Sequence, residues 1–309
     1  MSPNSTIYDA LIVGAGPAGV SCAVWLKRLG FVPAVVESKE KVGGLCRENP
    51  FLDEWNVALP GMMGHQVADN LALSLQRAGV PLWLSCAARY VEPAGHGFSV
   101  ACDGMDAPLR ARHVVLATGV RARGLSAGAT TAGYKSGSAS ALSSLGILVG
   151  PGAHVVAQDF RGKRVAILGG GDNAFENALY ASDHGAAKVH VYARTIRAQR
   201  QFLRKIQPAD IRLGSYRVDT ATRTVNDESY DVIMVFYGWE PCVGFVETLG
   251  LHRSAQGFIA TDMQTAQASF PGIYAIGEVA QRQHPCVVTA LADGVTAAKA
   301  IQARIEAGQ

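Results

Sequence analysis

Residues 8–19 read YDALIVGAGPAG, a short apolar run that ends in a glycine-rich turn. The apolar run is typical of a buried parallel strand, and the sequence that follows the turn predicts a helix as far as about Leu29. Gly30 is expected to end that helix, and residues 32–37 are predicted as the next strand. These elements together form one β-α-β unit.

The glycines of this turn have the G-x-G-x-x-G spacing of a dinucleotide-binding site. Gly14 allows the tight turn, Gly16 lets the backbone approach a pyrophosphate, and Gly19 permits close packing of the helix on the strand. The pyrophosphate is then expected at the start of the helix, beside Pro17 and Ala18, where free N–H groups and the helix dipole favour negative charge.

An acidic residue completes the motif. Glu37 lies at the end of the second predicted strand, where a carboxylate can accept hydrogen bonds from both ribose hydroxyls of an adenosine. A glycine-rich turn that binds no ligand is the alternative. The position of the turn between strand and helix, with the acid about 20 residues further on, favours a nucleotide site.

A second copy of this arrangement occurs far downstream. Residues 164–168 are predicted as a strand, a helix follows to about His184, and residues 188–192 are the next strand. The residues expected at a second nucleotide are Gly169, Gly171, Asp172, Asn173 and Ala174. Two nucleotide-binding units in one chain are therefore predicted.

The second copy lacks the acidic residue. Tyr192 stands in its place, and Arg194 and Arg197 follow. Without the carboxylate nothing repels a 2′-phosphate, and arginine can bind one through charge-assisted hydrogen bonds, so this copy favours NADPH over NADH. The alternative is that these arginines belong to the solvated face of a helix.

Length and composition limit the remaining possibilities. The 309 residues fit two domains, and 49% hydrophobic with 17% charged residues give no sign of disorder. A net charge of +3 is too mild to argue for nucleic acid, and no apolar run reaches the roughly 18 residues of a membrane helix. The six cysteines form no C-x-x-C pair and show no metal-ligand spacing. We expect a cytoplasmic, soluble protein without a metal.

Four further motifs occur besides the two glycine turns. They are residues 43–44 (GG), 117–119 (ATG), 236–241 (F-x-G-x-x-P) and 272–278 (GIYAIGE). With these motifs the chain resembles the low-molecular-weight thioredoxin reductase-like FAD/NAD(P) oxidoreductases over nearly its whole length. The resemblance implies an α/β fold of two doubly wound Rossmann-type domains, the second inserted in the first. An FAD-binding domain at 1–118 plus 241–309, an NAD(P)-binding domain at 119–240 and a homodimer are implied.

The resemblance also implies which residues meet the flavin. Besides the first turn and Glu37 they are Gly43, Gly44, Ala117, Thr118, Gly119, Gly277, Glu278, Val287, Val288 and Thr289. Family members normally carry Asp in place of Glu278, whose longer side chain can still accept the same hydrogen bond. The three residues from Val287 are expected at the start of the last helix, beside the isoalloxazine.

One departure from the family bears on function. Thioredoxin reductases carry a C-x-x-C pair just before the second glycine turn, and its place here is Gly-Ala-His-Val at 152–155. No cysteine occurs from Asp103 to Pro241. This absence rules out a dithiol relay in the second domain and disfavours ordinary thioredoxin reduction.

Two enzymatic functions remain. In the first, electrons pass from NADPH through FAD directly to a small redox protein or another acceptor, as in the thioredoxin reductase-like ferredoxin/flavodoxin–NADP reductases. Those enzymes usually have a C-terminal extension over the flavin, whereas this chain ends at Gln309. In the second, Cys46 is a redox thiol, because Gly43-Gly44-Leu45-Cys46 resembles the GG-x-C segment of the larger glutathione reductase-type enzymes.

Cys46 lacks the usual partner cysteine, since Phe51 occupies that position. It would act alone, with a substrate thiol, or with Cys286, and a plain buried cysteine is the alternative. Another version of this function places a second flavin or an unusual disulfide substrate where the missing dithiol would stand. His154 is a further candidate, an acid facing the flavin or a solvent-exposed loop histidine. A flavin-binding sensor or interaction module is the third possibility, which the retained second glycine turn disfavours.

Overall fold

The computed structural model describes residues 6–49, 51–125 and 145–308. The chain divides into two compact units, the first made of Met1–Val120 with Glu240–Gln309 and the second of Arg121–Trp239. Residues 125–152 are rich in Gly, Ala and Ser, and this composition predicts a connection into the second domain with some irregular structure. Of these, residues 126–144 lie outside the described residues.

The secondary structure follows in chain order. The first part forms β1 (Ile7–Val13), α1 (Pro17–Arg28), β2 (Pro33–Val36), α2 (Leu45–Glu48), α3 (Gly64–Ala78), β3 (Leu82–Trp83), β4 (Ala88–Ala94), β5 (Gly97–Cys102), β6 (Leu109–Leu116) and β7 (Val120–Ala122). The middle part forms β8 (Ile147–Val149), α4 (Ala153–Val156), β9 (Arg164–Leu168), α5 (Asp172–Asp183), β10 (Lys188–Ala193), α6 (Arg200–Leu203), β11 (Ile211–Leu213), β12 (Val218–Asp219), β13 (Thr224–Val225), β14 (Glu228–Ser229) and β15 (Val232–Val235). The last part forms β16 (Trp239–Pro241), β17 (Ile273–Ala275) and α7 (Val287–Glu306).

The first unit is built on one large sheet with the strand order β3-β2-β1-β6-β5-β4, and β17 also pairs with β6. Strands β1, β2, β3, β6 and β17 pair in parallel, and their apolar composition suits burial on both faces. Helices α1, α3 and α7 pack on one face through Leu26, Leu75 and Ile301. On the other face, side chains of the sheet pack against Val243, Val246 and Ile259.

Helices α1 and α7 approach each other closely. A Cβ atom at Gly294 of α7 would lie 2.5 Å from the carbonyl oxygen of Ala18, so only glycine fits there. The Ser21 hydroxyl of α1 donates to the carbonyl of Leu291 at 2.7 Å. This contact fixes the last helix beside the first glycine turn.

The second unit has a parallel sheet with the strand order β11-β10-β9-β15-β8. Helix α5 packs on one face through Phe175 and Ala178. Strand β8 was not expected, because Ile147–Val149 lies in the stretch predicted to be irregular. Both units are thus Rossmann-type, and the predicted α/β fold class is confirmed. None of the helices within the described residues is long and apolar enough to cross a membrane.

A buried histidine in β6 predicts how the fold responds to acid. His113 is 3% exposed, packs edge-on against Tyr274, and has no hydrogen-bond partner for either ring nitrogen among the described residues. Burial lowers the pKa of His113 to about 4; Arg304 and Arg112 also lower it, and Asp9 opposes them. The ring is therefore neutral in the folded protein, whereas the unfolded chain takes up a proton below about pH 6.5.

We expect stability to be complete above about pH 6.5 and to fall as the pH drops towards 4, by about 3 kcal/mol from His113 alone. His113→Leu should flatten this part of the pH dependence, measured by urea unfolding between pH 4 and 7. The exposed His96 provides the control substitution, His96→Leu. An acid slope unchanged in His113→Leu would contradict the assignment.

Candidate dinucleotide sites

The first glycine turn, between β1 and α1, has one open position. A Cβ atom at Gly14 would lie 2.4 Å from the carbonyl oxygen of Ala117, and one at Gly19 would lie 2.0 Å from the carbonyl oxygen of Gly14. A Cβ atom at Gly16 would meet nothing within 4 Å. The space that a pyrophosphate needs is therefore beside Gly16, at the start of α1.

Two other glycine segments from distant parts of the chain lie around this turn. The Gly43 amide donates to the carbonyl of Ala15 at 2.9 Å, and a Cβ atom at Gly44 would be 3.2 Å from the Cα atom of Gly16. Gly277 contacts the same helix start, since a Cβ atom there would be 3.0 Å from the Cβ atom of Ala18. Backbone therefore surrounds the open position with little side-chain bulk.

The acidic residue is held in place by the turn itself. Glu37 is 6% exposed, and one carboxylate oxygen accepts from the Ala15 amide at 2.7 Å. The other oxygen accepts from the Lys39 amide at 2.9 Å and the Ser38 hydroxyl at 3.2 Å. A cleft of about 490 Å³, lined by Ser38, Lys39 and Gly44 among others, lies next to it. This cleft suits the adenosine end of a dinucleotide.

Residues 117–119 join the two parts of the chain that form the first unit. The Ala117 amide donates to the carbonyl of Val13 at 2.8 Å. The Thr118 hydroxyl donates to the carbonyl of Cys242 at 2.7 Å, and the Cys242 amide donates back to the carbonyl of Gly119 at 3.1 Å. Thr118 thus anchors the returning chain beside the glycine turn.

The start of α7 presents an apolar surface. Cys286 caps the helix, with its sulfur accepting from the Thr289 amide at 3.5 Å. Val288 is 44% exposed, whereas Val287 packs against the small cluster around Cys46. An exposed valine at a helix N-terminus suits contact with a flat aromatic ring.

Glu278 is half-buried, and burial raises the pKa of its carboxyl group. Together with the open space at Gly16 and the fixed carboxylate of Glu37, the residues of the first unit fit a flavin dinucleotide. Gly16 would face its pyrophosphate, Glu37 its adenosine ribose and Val288 its isoalloxazine. These individual roles stay predictions.

Cys46 has the surroundings of an unreactive cysteine. It is buried between Val67 and Ala68, and burial, with Asp53 and Glu278 adding to it, raises the pKa of its thiol to about 12. Reactive cysteines need a thiolate, which requires a lowered pKa. The structure therefore favours the plain buried cysteine.

We expect Cys46→Ser to leave turnover with every active acceptor within about twofold of wild type, because a thiol protonated at neutral pH supplies no nucleophile. Steady-state kinetics with each acceptor provides the measurement. Cys22→Ser, at another buried cysteine, controls for the effect of a hydroxyl in the core. A loss of turnover specific to Cys46→Ser would restore the redox hypothesis.

The second glycine turn, between β9 and α5, repeats the geometry of the first. A Cβ atom at Gly169 would lie 2.4 Å from the carbonyl oxygen of Phe236, whereas one at Gly171 would meet nothing within 4 Å. Ala174 is buried against the sheet. The Asp172 carboxylate accepts from both the backbone and the side-chain amide of Gln199, at 2.7 and 2.9 Å. The open position is again the second glycine.

The loop after β10 is fastened to this turn. The amides of Arg197 and Ala198 donate to the carbonyl of Gly170 at 2.6 and 3.0 Å. A Cβ atom at Gly170 would lie 1.9 Å from the carbonyl oxygen of Thr195, so the loop can only close over glycine. Arg194 and Arg197 are both exposed and lie outside the four-residue helix α6. The two arginines are thus held beside the turn.

Tyr192, at the position of the missing acid, points into the core. It is 1% exposed, and its hydroxyl is 2.7 Å from that of Tyr230, which is also 2.7 Å from Nδ1 of His190. Nothing acidic at the end of β10 therefore opposes a 2′-phosphate.

His154 belongs to α4 and not to an exposed loop. It is half-buried, and its Nε2 atom is 3.0 Å from the carbonyl oxygen of Gly150. In that hydrogen bond His154 donates its Nε2 proton to a residue of its own unit. The role of His154 as an acid facing the flavin stays a prediction. Asn173 makes its own local bond, its carbonyl accepting from the Asn177 side chain at 2.8 Å.

Sequence reasoning missed several residues that position these sites. Gly170 and Gln199 hold the second loop, and Arg282 and Asp293 form a buried ion pair behind Gly277. The third consecutive glycine at 169–171 was a signal for Gly170, since the motif itself requires only two. No local pattern marked the ion pair.

Comparison with known proteins agrees with this geometry. A family model described as pyridine nucleotide-disulphide oxidoreductase matches residues 8–294. The thioredoxin reductase of Treponema pallidum is 28% identical, over 97% of this chain and 98% of its own length. The solved thioredoxin reductase of Lactococcus lactis superposes with a TM-score of 0.77 at 23% identity, covering 96% of this chain and 98% of its own. A bacillithiol disulfide reductase from Bacillus cereus gives 0.74 at 16% identity, covering 97% and 100%. The structural matches establish the fold.

Proposed function

The chain belongs to the pyridine nucleotide-disulphide oxidoreductase family, and we propose that this FAD-dependent NAD(P)H oxidoreductase passes electrons directly to an outside acceptor. The acceptor is a small redox protein of the ferredoxin or flavodoxin type, or a small molecule. NADPH is the proposed donor.

The observation that carries this proposal is the distribution of cysteines. None occurs between Cys102 and Cys242, and residues 152–155, where a dithiol would stand, are Gly-Ala-His-Val. Bound FAD can accept two electrons together and release them singly, which suits a one-electron protein carrier. Cys46, with its raised thiol pKa, supports the same conclusion, because it is a poor substitute for the dithiol.

The chain's own residues would bind and orient the two cofactors. In the first unit the open backbone at Gly16 and the carboxylate of Glu37 would hold the FAD. In the second unit Gly171 would face the pyrophosphate of NADPH, and Arg194 with Arg197 would bind its 2′-phosphate. Hydride transfer between two such cofactors needs orientation more than acid–base chemistry, so no side chain is assigned as an acid or base.

An anaerobic titration of the purified protein with NADPH and then NADH, followed by the visible absorbance of the flavin, tests the donor. We expect rapid bleaching by NADPH and slower bleaching by NADH. Bleaching by neither would contradict the proposed donor and favour the sensor or interaction module.

The acceptor is tested by stopped-flow reoxidation of the reduced protein with ferredoxin, flavodoxin and a set of disulfides. We expect the first two to reoxidise the flavin even after alkylation of accessible thiols with iodoacetamide. Reoxidation by disulfides alone, abolished by alkylation, would contradict the proposal and favour the thiol/disulfide alternative.

A homodimer is part of the proposal, and it rests on the resemblance to low-molecular-weight thioredoxin reductases. Sedimentation velocity of the flavin-loaded protein measures it. A species with twice the mass of one chain is expected, and a monomer at micromolar concentration would exclude the dimer.

A further inference from the structure

A buried ion pair lies behind the turn that is expected to meet the flavin. The side chains of Arg282 and Asp293 are 4% and 7% exposed, and their charged groups are 2.7 Å apart. The other carboxylate oxygen of Asp293 accepts from the Gly277 amide at 3.0 Å. The Asp293 side chain thus links the guanidinium of Arg282 to the backbone of Gly277, the first residue of the Gly277–Val279 turn.

The arginine extends this connection to another loop. One guanidinium nitrogen of Arg282 bonds to Asp293, and the other donates to the carbonyl oxygens of Met263 and Asp262. Its Nε atom is buried without a hydrogen-bond partner among the described residues. The two terminal nitrogens of the guanidinium are therefore hydrogen-bonded, and its Nε atom is not.

Asp293 also lies where α1 and α7 are closest. The next residue, Gly294, contacts the carbonyl of Ala18, and Ala18 contacts Gly277. The start of α1, the Gly277 turn and the second turn of α7 therefore meet at one point, with Asp293 among them. Each of these three elements carries residues predicted to touch FAD.

We propose that Arg282 and Asp293 are positioning residues for the flavin. The two residues fix the Gly277–Val279 turn against the starts of α1 and α7. Neither residue needs to touch the cofactor. The pair keeps the turn in the geometry that binds FAD, and Arg282 neutralises a carboxylate buried close to the expected site of an anionic cofactor.

The energetics of buried ion pairs support a role beyond stability. Desolvation of two charges offsets most of their attraction, so replacing both partners by neutral groups is often close to neutral for folding. Removing only one partner leaves an uncompensated buried charge and is strongly destabilising. A neutral double variant can therefore separate positioning of the flavin from maintenance of the fold.

The experiment compares FAD release from four flavin-loaded proteins: wild type, Arg282→Lys, Asp293→Asn, and the double variant Arg282→Leu with Asp293→Asn. The asparagine oxygen can still accept from the Gly277 amide, so the double variant buries no unpaired charge. Release is followed by the rise of flavin fluorescence on dilution, and thermal melting of the same samples monitors the fold. The partly exposed pair Lys188–Asp210 in the second unit gives a control away from the first unit, Lys188→Leu with Asp210→Asn.

We expect the double variant to release FAD about tenfold faster than wild type, while its melting temperature stays within a few degrees. The rate of FAD release from Arg282→Lys should lie between those of wild type and the double variant. An ammonium group keeps the charge but lacks the planar, forked geometry with which the guanidinium bonds to Asp293 and the Met263 carbonyl together. The control pair should leave FAD release unchanged. A double variant with wild-type release would overturn the proposal and leave the pair a purely structural role. If a single variant fails to fold, the double variant still decides the question.

Discussion

Gly16→Ala is expected to give a folded protein that is purified largely without flavin. The backbone of Gly16 has a φ of −74°, which any residue adopts, and the added Cβ atom would meet no protein atom within 4 Å. The methyl group would instead occupy the space in which the pyrophosphate must approach the backbone. Loss of one or two charge-assisted hydrogen bonds, each worth about 1.5–3 kcal/mol, lowers affinity by at least about tenfold.

Two other glycines supply the controls for this experiment. Gly19→Ala would place a Cβ atom 2.0 Å from the carbonyl oxygen of Gly14, so it should damage folding and not merely flavin binding. Gly171→Ala, the equivalent open position of the second unit, should keep its flavin and lose reduction by NADPH. The ratio of flavin to protein absorbance, together with far-ultraviolet circular dichroism, separates these cases. A Gly16→Ala protein with a full complement of flavin would place the cofactor elsewhere.

The parts of the structure that could be predicted from sequence are those that local patterns determine. Both glycine turns, the strands that precede them and the helices that follow were predicted because spacing and apolar runs are short-range signals. Helix α1 ends at Arg28 with Gly30 at a φ of +92°, close to the predicted end near Leu29. Strand β8 was missed because its three residues follow a Gly/Ser-rich stretch and show no period of their own.

Long-range contacts could not be predicted in the same way. The Asp293–Arg282 pair looks like two unrelated charges in sequence, and only the fold brings the carboxylate to the Gly277 amide. Burial has the same limitation. The likeness to a GG-x-C segment made Cys46 a candidate redox thiol, but its chemistry depends on Val67 and Ala68 around it, which raise its thiol pKa by excluding water.

The double variant Arg194→Ala with Arg197→Ala is expected to lose the preference for NADPH over NADH. Both side chains are exposed at the end of β10, and the Arg197 amide fixes their loop to the carbonyl of Gly170. Two arginines on one phosphate contribute about 1.5–3 kcal/mol each, so KM for NADPH should rise at least about a hundredfold and KM for NADH should change little. Because NADH lacks the 2′-phosphate, the ratio of the two kcat/KM values isolates this contact from damage to the rest of the site.

The matched control is Arg200→Ala with Arg204→Ala, which removes the same charge from exposed positions further along the chain. If general attraction of a cationic surface for NADPH were the cause, both double variants would raise KM alike, and the rise would vanish at high ionic strength. If a specific phosphate site is the cause, only Arg194 and Arg197 matter, and the preference persists in salt. A first double variant that still prefers NADPH as strongly as wild type would show that the 2′-phosphate is bound by other residues.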